Sequence, residues 1–154
     1  MRAAVLTIST TRARGKGEDV SGPALVELCV AAGLETTHET VSDDRAAITH
    51  ALIRLADEAG MRFVFTTGGT GMTRDDVTPE ATLDAIDREA PGFAESIRQE
   101  SRRHLALGIL QRGVSGLRGR TLIINFPGSP KAIAESWPVV EPTLRHAAET
   151  LERE

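Results

Sequence analysis

Short apolar runs alternate along this chain with longer segments that carry apolar residues at helical spacing, and this alternation restricts the possible folds more than any other feature. Strands are predicted at residues 3–9, 35–41, 62–66 and 121–126. The second of these is more polar, as is typical of a strand near the edge of a sheet. Alternating strands and helices indicate an α/β domain with a largely parallel sheet. At 154 residues, the whole chain (1–154) is predicted to form a single domain.

Helices are predicted between the strands and after the last one. The first begins at Ser21 or Gly22, and the second follows Ser42 and Asp43, which are both candidate N-caps. Further helices are predicted at residues 78–88, 93–104, 130–137 and 142–151. Pro138 is expected to end the helix that begins at Pro130. Residues 10–19 are interpreted as a polar loop, and the glycine-rich residues 114–119 fit neither pattern.

Composition excludes several classes of protein. The net charge is −4 and only 3% of the residues are aromatic, whereas nucleic-acid binders usually carry a basic surplus and stacking aromatics. The apolar run at residues 3–8 is too short to span a membrane and lacks the features of a signal peptide. The only cysteine, Cys29, cannot form an internal disulfide and is expected in the core. We therefore expect a cytoplasmic protein that contacts neither nucleic acid nor membrane.

A glycine-rich loop directly follows the third predicted strand. Its three glycines permit positive φ and close approach of a ligand, and successive amides of such a loop bind anions. The sequence lacks the Gly-Lys-Ser/Thr ending of a Walker loop, and Arg74 stands where a dinucleotide fingerprint needs its last glycine. A tight turn between strand and helix is the alternative interpretation. The candidate phosphate-binding residues are Thr67, Gly68, Gly69, Thr70 and Gly71.

Two pairs of carboxylates also follow predicted strands. Asp75 and Asp76 come after the glycine-rich loop, where a magnesium ion would offset their charge against that of a phosphate. Asp43 and Asp44 follow the second strand at a helix start. If the strand order brings these loops side by side, Asp43 and Asp76 would hold one metal ion. The alternative is that Asp43 and Asp44 simply cap their helix and that Asp75 and Asp76 are helix-entry charge, which favours the helix dipole.

A second strand–turn–helix junction repeats the design of the first. Pro127, Gly128 and Ser129 follow the last strand, and Lys131 lies in the first turn of the next helix. A helix N-terminus with a lysine binds anions, although a capped turn with a solvated lysine fits equally well. The early basic residues Arg12, Arg14 and Lys16 form either a mobile flap over a polyphosphate or a solvated charge run, and their role stays open.

Four segments together resemble the Mog/MoaB molybdopterin-binding family. Residues 66–82 (TTGGTGMTRDDVTPEAT) resemble its long first signature, and residues 127–132 (PGSPKA) its second. Residues 18–25 (EDVSGPAL) and 91–93 (PGF) are also similar to that family. The resemblance covers nearly the whole chain, and the first signature is highly specific.

The resemblance implies a fold, a reaction and partners. The family fold is a three-layer αβα sandwich, usually assembled as a homotrimer or a trimer-based hexamer. The ligand is molybdopterin, and Mog-type members use Mg²⁺ and ATP to adenylylate its terminal phosphate with release of pyrophosphate. The product then receives molybdate, which implies a downstream molybdate-insertion protein as a partner.

The resemblance also assigns residues by motif. The two aspartates of the adenylyltransferase type correspond to Asp43 and Asp76, as catalytic residues and metal ligands. The glycine-rich loop, residues 127–129 and Lys131 correspond to segments that contact the ligand. One departure is Met72-Thr73, where some adenylyltransferases carry a proline and a small residue.

Three alternatives to an adenylyltransferase remain at this stage. The first is a non-catalytic MoaB-type protein that binds molybdopterin without turning over ATP. The second is a nucleotide-cleaving hydrolase of the CinA-like family, whose members usually carry a further domain. The third is a scaffold that binds other proteins, for which the sequence offers no sign of a partner peptide.

Overall fold

The computed structural model of the protein describes residues 1–153, which form a six-stranded sheet with helices on both faces. The strands are β1 (Arg2–Ile8), β2 (Glu35–Val41), β3 (Phe63–Thr67), β4 (Arg88–Glu89), β5 (Ser115–Arg118) and β6 (Thr121–Phe126). The helices are α1 (Thr10–Ala13), α2 (Ser21–Ala31), α3 (Arg45–Asp57), α4 (Thr78–Ala85), α5 (Gly92–His104), α6 (Pro130–Val140) and α7 (Leu144–Leu151). Two 3₁₀ turns, Ala106–Leu110 and Glu141–Thr143, complete the assignment.

The strands lie in the order β2-β1-β3-β6-β5-β4. β2, β1, β3 and β6 are parallel neighbours, whereas β5 runs antiparallel to both β6 and β4. The carboxyl ends of β1, β3 and β6 therefore meet at one edge of the sheet, where ligands bind in folds of this type. The predicted α/β class with a mostly parallel sheet is confirmed, and β2 is indeed an edge strand.

Two apolar clusters cover the two faces of the sheet and make the architecture three-layered. Along β1, Val5 packs with α2, α5, α6 and α7 on one face, and Leu6 packs with α3 and α4 on the other. A parallel strand that is buried on both faces appears in the sequence as a continuous apolar run, which is why β1 was predictable. The predicted αβα sandwich is therefore confirmed.

Aromatic residues fill the first of these clusters. Phe65 of β3 contacts Trp137 of α6 edge to face, with ring centroids 5.7 Å apart, and Phe126 packs against both. Burial raises the pKa of the Cys29 thiol in this core to about 12, so the thiol stays protonated at neutral pH. The prediction that Cys29 is a core residue is confirmed.

Several predicted boundaries are wrong, each for a tertiary reason. Pro138 does not end α6, which continues to Val140 because Trp137 and Val140 remain packed in the core. α4 ends at Ala85 rather than near residue 88, and Arg88–Glu89 instead pairs with β5. Residues 10–19 are not entirely loop, since Thr10–Ala13 forms one helical turn.

The unassigned segment at residues 114–119 contains β5. Gly116 lies in this strand where the backbone of β4 approaches closely: a Cβ at Gly116 would lie 2.7 Å from the carbonyl oxygen of Arg88. A glycine inside a strand often marks such close backbone approach, which also weakens the sequence pattern of the strand. In the part of the chain that the structure describes, no helix is long and apolar enough to cross a membrane.

Candidate functional site

The glycine-rich loop leaves β3 with two residues in the left-handed region of backbone space. Gly68 has φ +98° and Gly69 has φ +64°. A Cβ at Gly68 would lie 2.5 Å from the carbonyl oxygen of Ile8, at the end of β1. Glycine is therefore required at position 68 for both conformation and space.

Thr78 forms two hydrogen bonds with the backbone of this loop. Its hydroxyl donates to the carbonyl oxygen of Gly68 at 2.9 Å, and its amide donates to the carbonyl oxygen of Gly69 at 3.1 Å. The residue at the N-cap of α4 is Val77, which makes no side-chain cap. The Thr78 hydroxyl therefore closes the glycine-rich loop and does not cap α4.

The two predicted anion loops lie in direct contact because β3 and β6 are neighbours. The Thr67 hydroxyl donates to the carbonyl oxygen of Pro127 at 2.8 Å. Ser129 accepts a hydrogen bond from the amide of Ala132 at 3.2 Å and so caps α6, as its position before Pro130 indicated. The N-termini of α4 and α6 consequently flank the same edge of the sheet.

A buried asparagine in β6 is hydrogen-bonded to β3, to α4 and to the segment before β5. The side-chain amide of Asn125 donates to the hydroxyls of Thr66 at 2.9 Å and Thr82 at 3.0 Å, and its oxygen accepts from the amide of Val114 at 3.1 Å. Asn125 is fully buried, so these bonds offset the desolvation of its amide group. Sequence analysis did not single out this residue, although a polar side chain inside an apolar strand was a usable signal.

Asp76 lies after the glycine-rich loop and is held in a fixed orientation. Its Oδ2 accepts hydrogen bonds from the amide of Thr73 at 2.8 Å and from the hydroxyl of Thr73 at 2.7 Å. Burial raises the pKa of Asp76, but these bonds, one from the Gly71 amide and the charge of Arg112 outweigh burial and lower it overall. Asp76 is therefore a carboxylate at neutral pH, as a metal ligand must be.

Asp43 is joined to the loop after β1. Its Oδ2 accepts from the amide of Thr10 at 2.7 Å, and its own amide donates to the Thr10 hydroxyl at 3.0 Å. The N-cap of α3 is Asp44, which accepts from the amide of Ala47 at 2.8 Å. Neither Ser42 nor Asp43 caps this helix, whereas capping by the second carboxylate of the pair, Asp44, was the alternative interpretation of this segment and is confirmed.

β1 lies between β2 and β3, so the loops that carry Asp43 and Asp76 are not direct neighbours. Two strand spacings amount to about 10 Å. Among residues 1–153, no group of three or more His, Cys, Asp or Glu side chains is arranged to hold a metal ion. A magnesium ion bound mostly by substrate phosphates and one or two carboxylates would still suit this donor set.

Two adjoining pockets open at this edge. One, of about 310 Å³, is lined by residues of the glycine-rich loop together with Asp76, Gln111 and Gly128. The other, of about 220 Å³, is lined by residues that include Arg12, Asp19 and Gly128. Gly128 belongs to both, which makes the two pockets halves of one site. Lys131 lies with its side chain 87% exposed and 3.9 Å from Glu135, so it is solvated in this structure.

Only one residue of the early basic cluster lines this site. Arg12 lines the smaller pocket, and its Nε donates to the carbonyl oxygen of Glu18 at 2.9 Å, which closes the loop on itself. Arg14 and Lys16 are exposed. The end of the loop is anchored by Asp19, which accepts from the hydroxyl of Thr7 at 2.7 Å and lies 3.2 Å from His38 Nε2.

Arg112 is a second residue of this site that sequence analysis missed. Its amide donates to the carbonyl oxygen of Thr70 at 2.8 Å, and its Nε donates to that of Gly71 at 2.8 Å. Its Nη2 donates to the carbonyl oxygen of Asp76 at 2.6 Å, and its Nη1 donates to Glu80. The partners of Arg112 lie 32 to 42 positions earlier in the chain, and the segment around Arg112 has no clear local pattern. The sequence therefore carried no signal for these contacts.

The pockets are lined by the glycine-rich loop, by Arg12 and by the fixed carboxylate of Asp76, and the N-termini of α4 and α6 lie at the same edge of the sheet. The fold and this site define an α/β protein with pockets at the carboxyl edge of its sheet, whose residue types suit a ligand that carries phosphate. Residues 4–146 match the family model described as "Probable molybdopterin binding domain". The chain belongs to this molybdopterin-binding family, and the resemblance found in its sequence is confirmed.

Named relatives include both enzymes and solved structures. The molybdopterin adenylyltransferase of Helicobacter pylori (strain J99) is 38% identical over 150 residues, 96% of this chain and 85% of that protein. The molybdopterin adenylyltransferase of Escherichia coli K12 is 41% identical over 139 residues, 88% of this chain and 71% of that protein. The crystal structure of the molybdopterin biosynthesis enzyme MoaB from Thermus thermophilus superposes with TM-score 0.91 at 40% identity, covering 99% of this chain and 97% of that one.

Proposed function

We propose that this protein acts in molybdenum cofactor biosynthesis as a molybdopterin adenylyltransferase, which transfers the adenylyl group of ATP to the terminal phosphate of molybdopterin. One observation carries the proposal: the contact of the β3 and β6 loops brings the two turns that are predicted to bind anions together with the ionised Asp76. Two relatives that match 88% or more of the chain bear the name of this enzyme.

The reaction brings two anions together, and this is its main electrostatic obstacle. An oxygen of the molybdopterin phosphate attacks the α-phosphorus of ATP in line, the α–β phosphoanhydride bond breaks, and pyrophosphate leaves. The amides of Gly68 to Gly71 bind and orient the transferring group, with Arg12 adding positive charge at the second pocket. The attacking phosphate is already ionised at neutral pH, so positioning and charge carry most of the rate.

We propose Mg²⁺ as the cofactor, with Asp43 and Asp76 as its protein ligands; because β1 separates the loops that carry them, most of the ligands of the ion would be substrate phosphates. The ion would neutralise charge on the triphosphate. The residues proposed to contact the ligands are the five of the glycine-rich loop, Thr67, Gly68, Gly69, Thr70 and Gly71, and four that follow β6, Pro127, Gly128, Ser129 and Lys131. Lys131 would need to turn from the solvent and from Glu135 to make such a contact.

We also propose that residues 1–154 act as a single cytoplasmic domain that assembles into a homotrimer or a trimer-based hexamer. The product would pass to a molybdate-insertion protein. Sedimentation at several protein concentrations tests the assembly, since a trimer has three times the mass of the 16.5 kDa chain.

The proposal is tested by measuring pyrophosphate release from ATP after molybdopterin is added, with and without Mg²⁺. Release that depends on both molybdopterin and Mg²⁺ is expected. Molybdopterin binding without release would instead establish a non-catalytic MoaB-type protein. The sequence feature behind that alternative is Met72-Thr73, where some adenylyltransferases carry a proline and a small residue.

A further inference from the structure

A single arginine side chain bridges the two ends of the segment that carries Asp76, which we call loop 70–76. Arg112 precedes β5, outside this loop, and bonds to the carbonyl oxygens of Gly71 near its start and Asp76 at its end. The guanidinium is planar and presents its donors in a fixed fork, so both carbonyls are held at once. A lysine, with one ammonium on a flexible stem, would not reproduce this geometry.

Glu80 orients the guanidinium from the other side. It lies in the first turn of α4 and bonds to Nη1 and Nη2 of Arg112, the latter at 3.4 Å. The hydrogen bond from Arg112 is the main reason why the pKa of Glu80 lies below its ordinary value. Arg112 and Glu80 therefore form a charged pair, which we call the clamp, that connects the start of α4, loop 70–76 and the segment before β5.

Fixing the carbonyls of a loop also fixes its amides, because each peptide unit is planar. By holding the carbonyls of Gly71 and Asp76, the guanidinium sets the directions of the N–H groups of Met72 and Val77, and these contacts are the ones that Arg112→Ala removes. The backbone amide of Arg112 holds the carbonyl of Thr70 and so sets the direction of the Gly71 N–H. That N–H bonds to the Asp76 carboxylate. Both Gly71 and Asp76 line the larger pocket, whereas Arg112 does not belong to its lining.

We infer that Arg112, oriented by Glu80, is a positioning residue of the proposed reaction, which fixes loop 70–76 so that Asp76 and the loop amides face the ligand. This inference rests on the proposed function. Arg112 acts through the loop and touches no reacting atom. Its loss should therefore lower kcat, while the affinity for molybdopterin, which also contacts the β6 loop, changes little.

The test compares Arg112→Ala with a matched control, Arg118→Ala. Arg118 likewise bonds to a carboxylate, that of Asp57 at 2.7 and 3.0 Å, and to a carbonyl oxygen, that of Ala85 at 2.8 Å, but it lies away from both pockets. We expect kcat of Arg112→Ala to fall by about 100-fold, the order of loss that misplacement of reacting groups produces. Arg112→Lys should remain impaired, and kcat of Arg118→Ala should stay within about threefold of wild type.

Two further readouts separate positioning from general loss of structure. Guanidinium chloride at non-denaturing concentration should restore part of the turnover of Arg112→Ala. Hydrogen exchange of the amides of loop 70–76 should accelerate in Arg112→Ala, while exchange of β3 and β6 is unchanged. An unchanged kcat, equal losses in both arginine variants, or unchanged loop exchange would overturn the inference. If the proposed function itself is wrong, the wild-type protein will release no pyrophosphate. This outcome distinguishes failure of the proposed function from failure of the inference about Arg112.

Discussion

Gly68, which follows β3, and Gly128, which follows β6, are packed backbone to backbone: a Cβ at Gly128 would lie 3.4 Å from the Cα of Gly68. This contact brings together loops that are 60 positions apart in the chain, since the neighbouring Thr67 hydroxyl bonds to Pro127. A Cβ at Gly128 would make ordinary van der Waals contact with Gly68, whereas a Cβ at Gly68 would lie 2.5 Å from the carbonyl oxygen of Ile8, so position 68 is the one that excludes a side chain. The proposed binding of two anionic substrates at one edge depends on this close approach.

The first prediction concerns Gly68→Ala. Gly60 also has a positive φ, of +62°, but a Cβ there meets nothing within 4 Å, so Gly60→Ala serves as the control. We expect Gly60→Ala to cost roughly 1–2 kcal/mol for its conformation alone. Gly68→Ala should cost more, because its Cβ would also displace the carbonyl of Ile8, and it should abolish most of the turnover. Urea denaturation and pyrophosphate release measure the two effects, and equal losses of stability would contradict the packing described.

Asp76→Asn tests the proposed role of the carboxylate. The amide retains the shape of the side chain and an acceptor for the Thr73 hydroxyl, but it removes the charge that a metal ligand supplies. A metal ion contributes several kcal/mol of charge stabilisation, so turnover should fall by a factor on the order of 100 or more. Asp75→Asn, at the exposed neighbouring position, should retain activity. Wild-type turnover by Asp76→Asn at saturating ATP would refute the metal role, and binding of molybdopterin should be nearly unchanged in both variants.

Asp43 has two roles to separate, because it bonds to Thr10 and is also a proposed metal ligand. Thr10→Val removes the hydroxyl contact but no charge, whereas Asp43→Asn removes the charge but keeps an oxygen for the amide of Thr10. We expect Asp43→Asn alone to raise the Mg²⁺ concentration needed for half-maximal turnover, by about 10- to 100-fold. If Thr10→Val raised it equally, Asp43 would act by anchoring the loop rather than by binding the ion.

Local chemistry made much of the fold predictable, and long-range contacts account for what was missed. β6 was predicted with its exact bounds because its apolar run lies between turn residues, and the cap at Ser129 followed from Pro130. Strand order is set by packing between distant segments, so the sequence could not show that β1 separates the loops of Asp43 and Asp76. For the same reason, the clamp formed by Arg112 was absent from the predicted site.

The last prediction concerns acid stability and Asp19. Burial raises the pKa of Asp19, but hydrogen bonds from the Thr7 hydroxyl and the Gly22 amide, with the nearby His38, lower it overall below its ordinary value of 3.8. A carboxyl whose pKa is lower in the folded state stabilises the fold above its unfolded pKa, and this contribution is lost as the pH falls through the folded value. Asp19→Asn should therefore reduce the free energy of unfolding at neutral pH. The difference from wild type should begin to shrink below about pH 4, where Asp19 of the unfolded chain takes up a proton, and should vanish as the pH falls through the lower pKa of the folded state. Other carboxylates with lowered pKa values, such as Asp76, titrate in both proteins and cancel in the difference. Urea denaturation of wild type and Asp19→Asn between pH 7 and pH 3 measures this difference in the free energy of unfolding. A difference that stays constant with pH would show that the charge of Asp19 does not stabilise the fold.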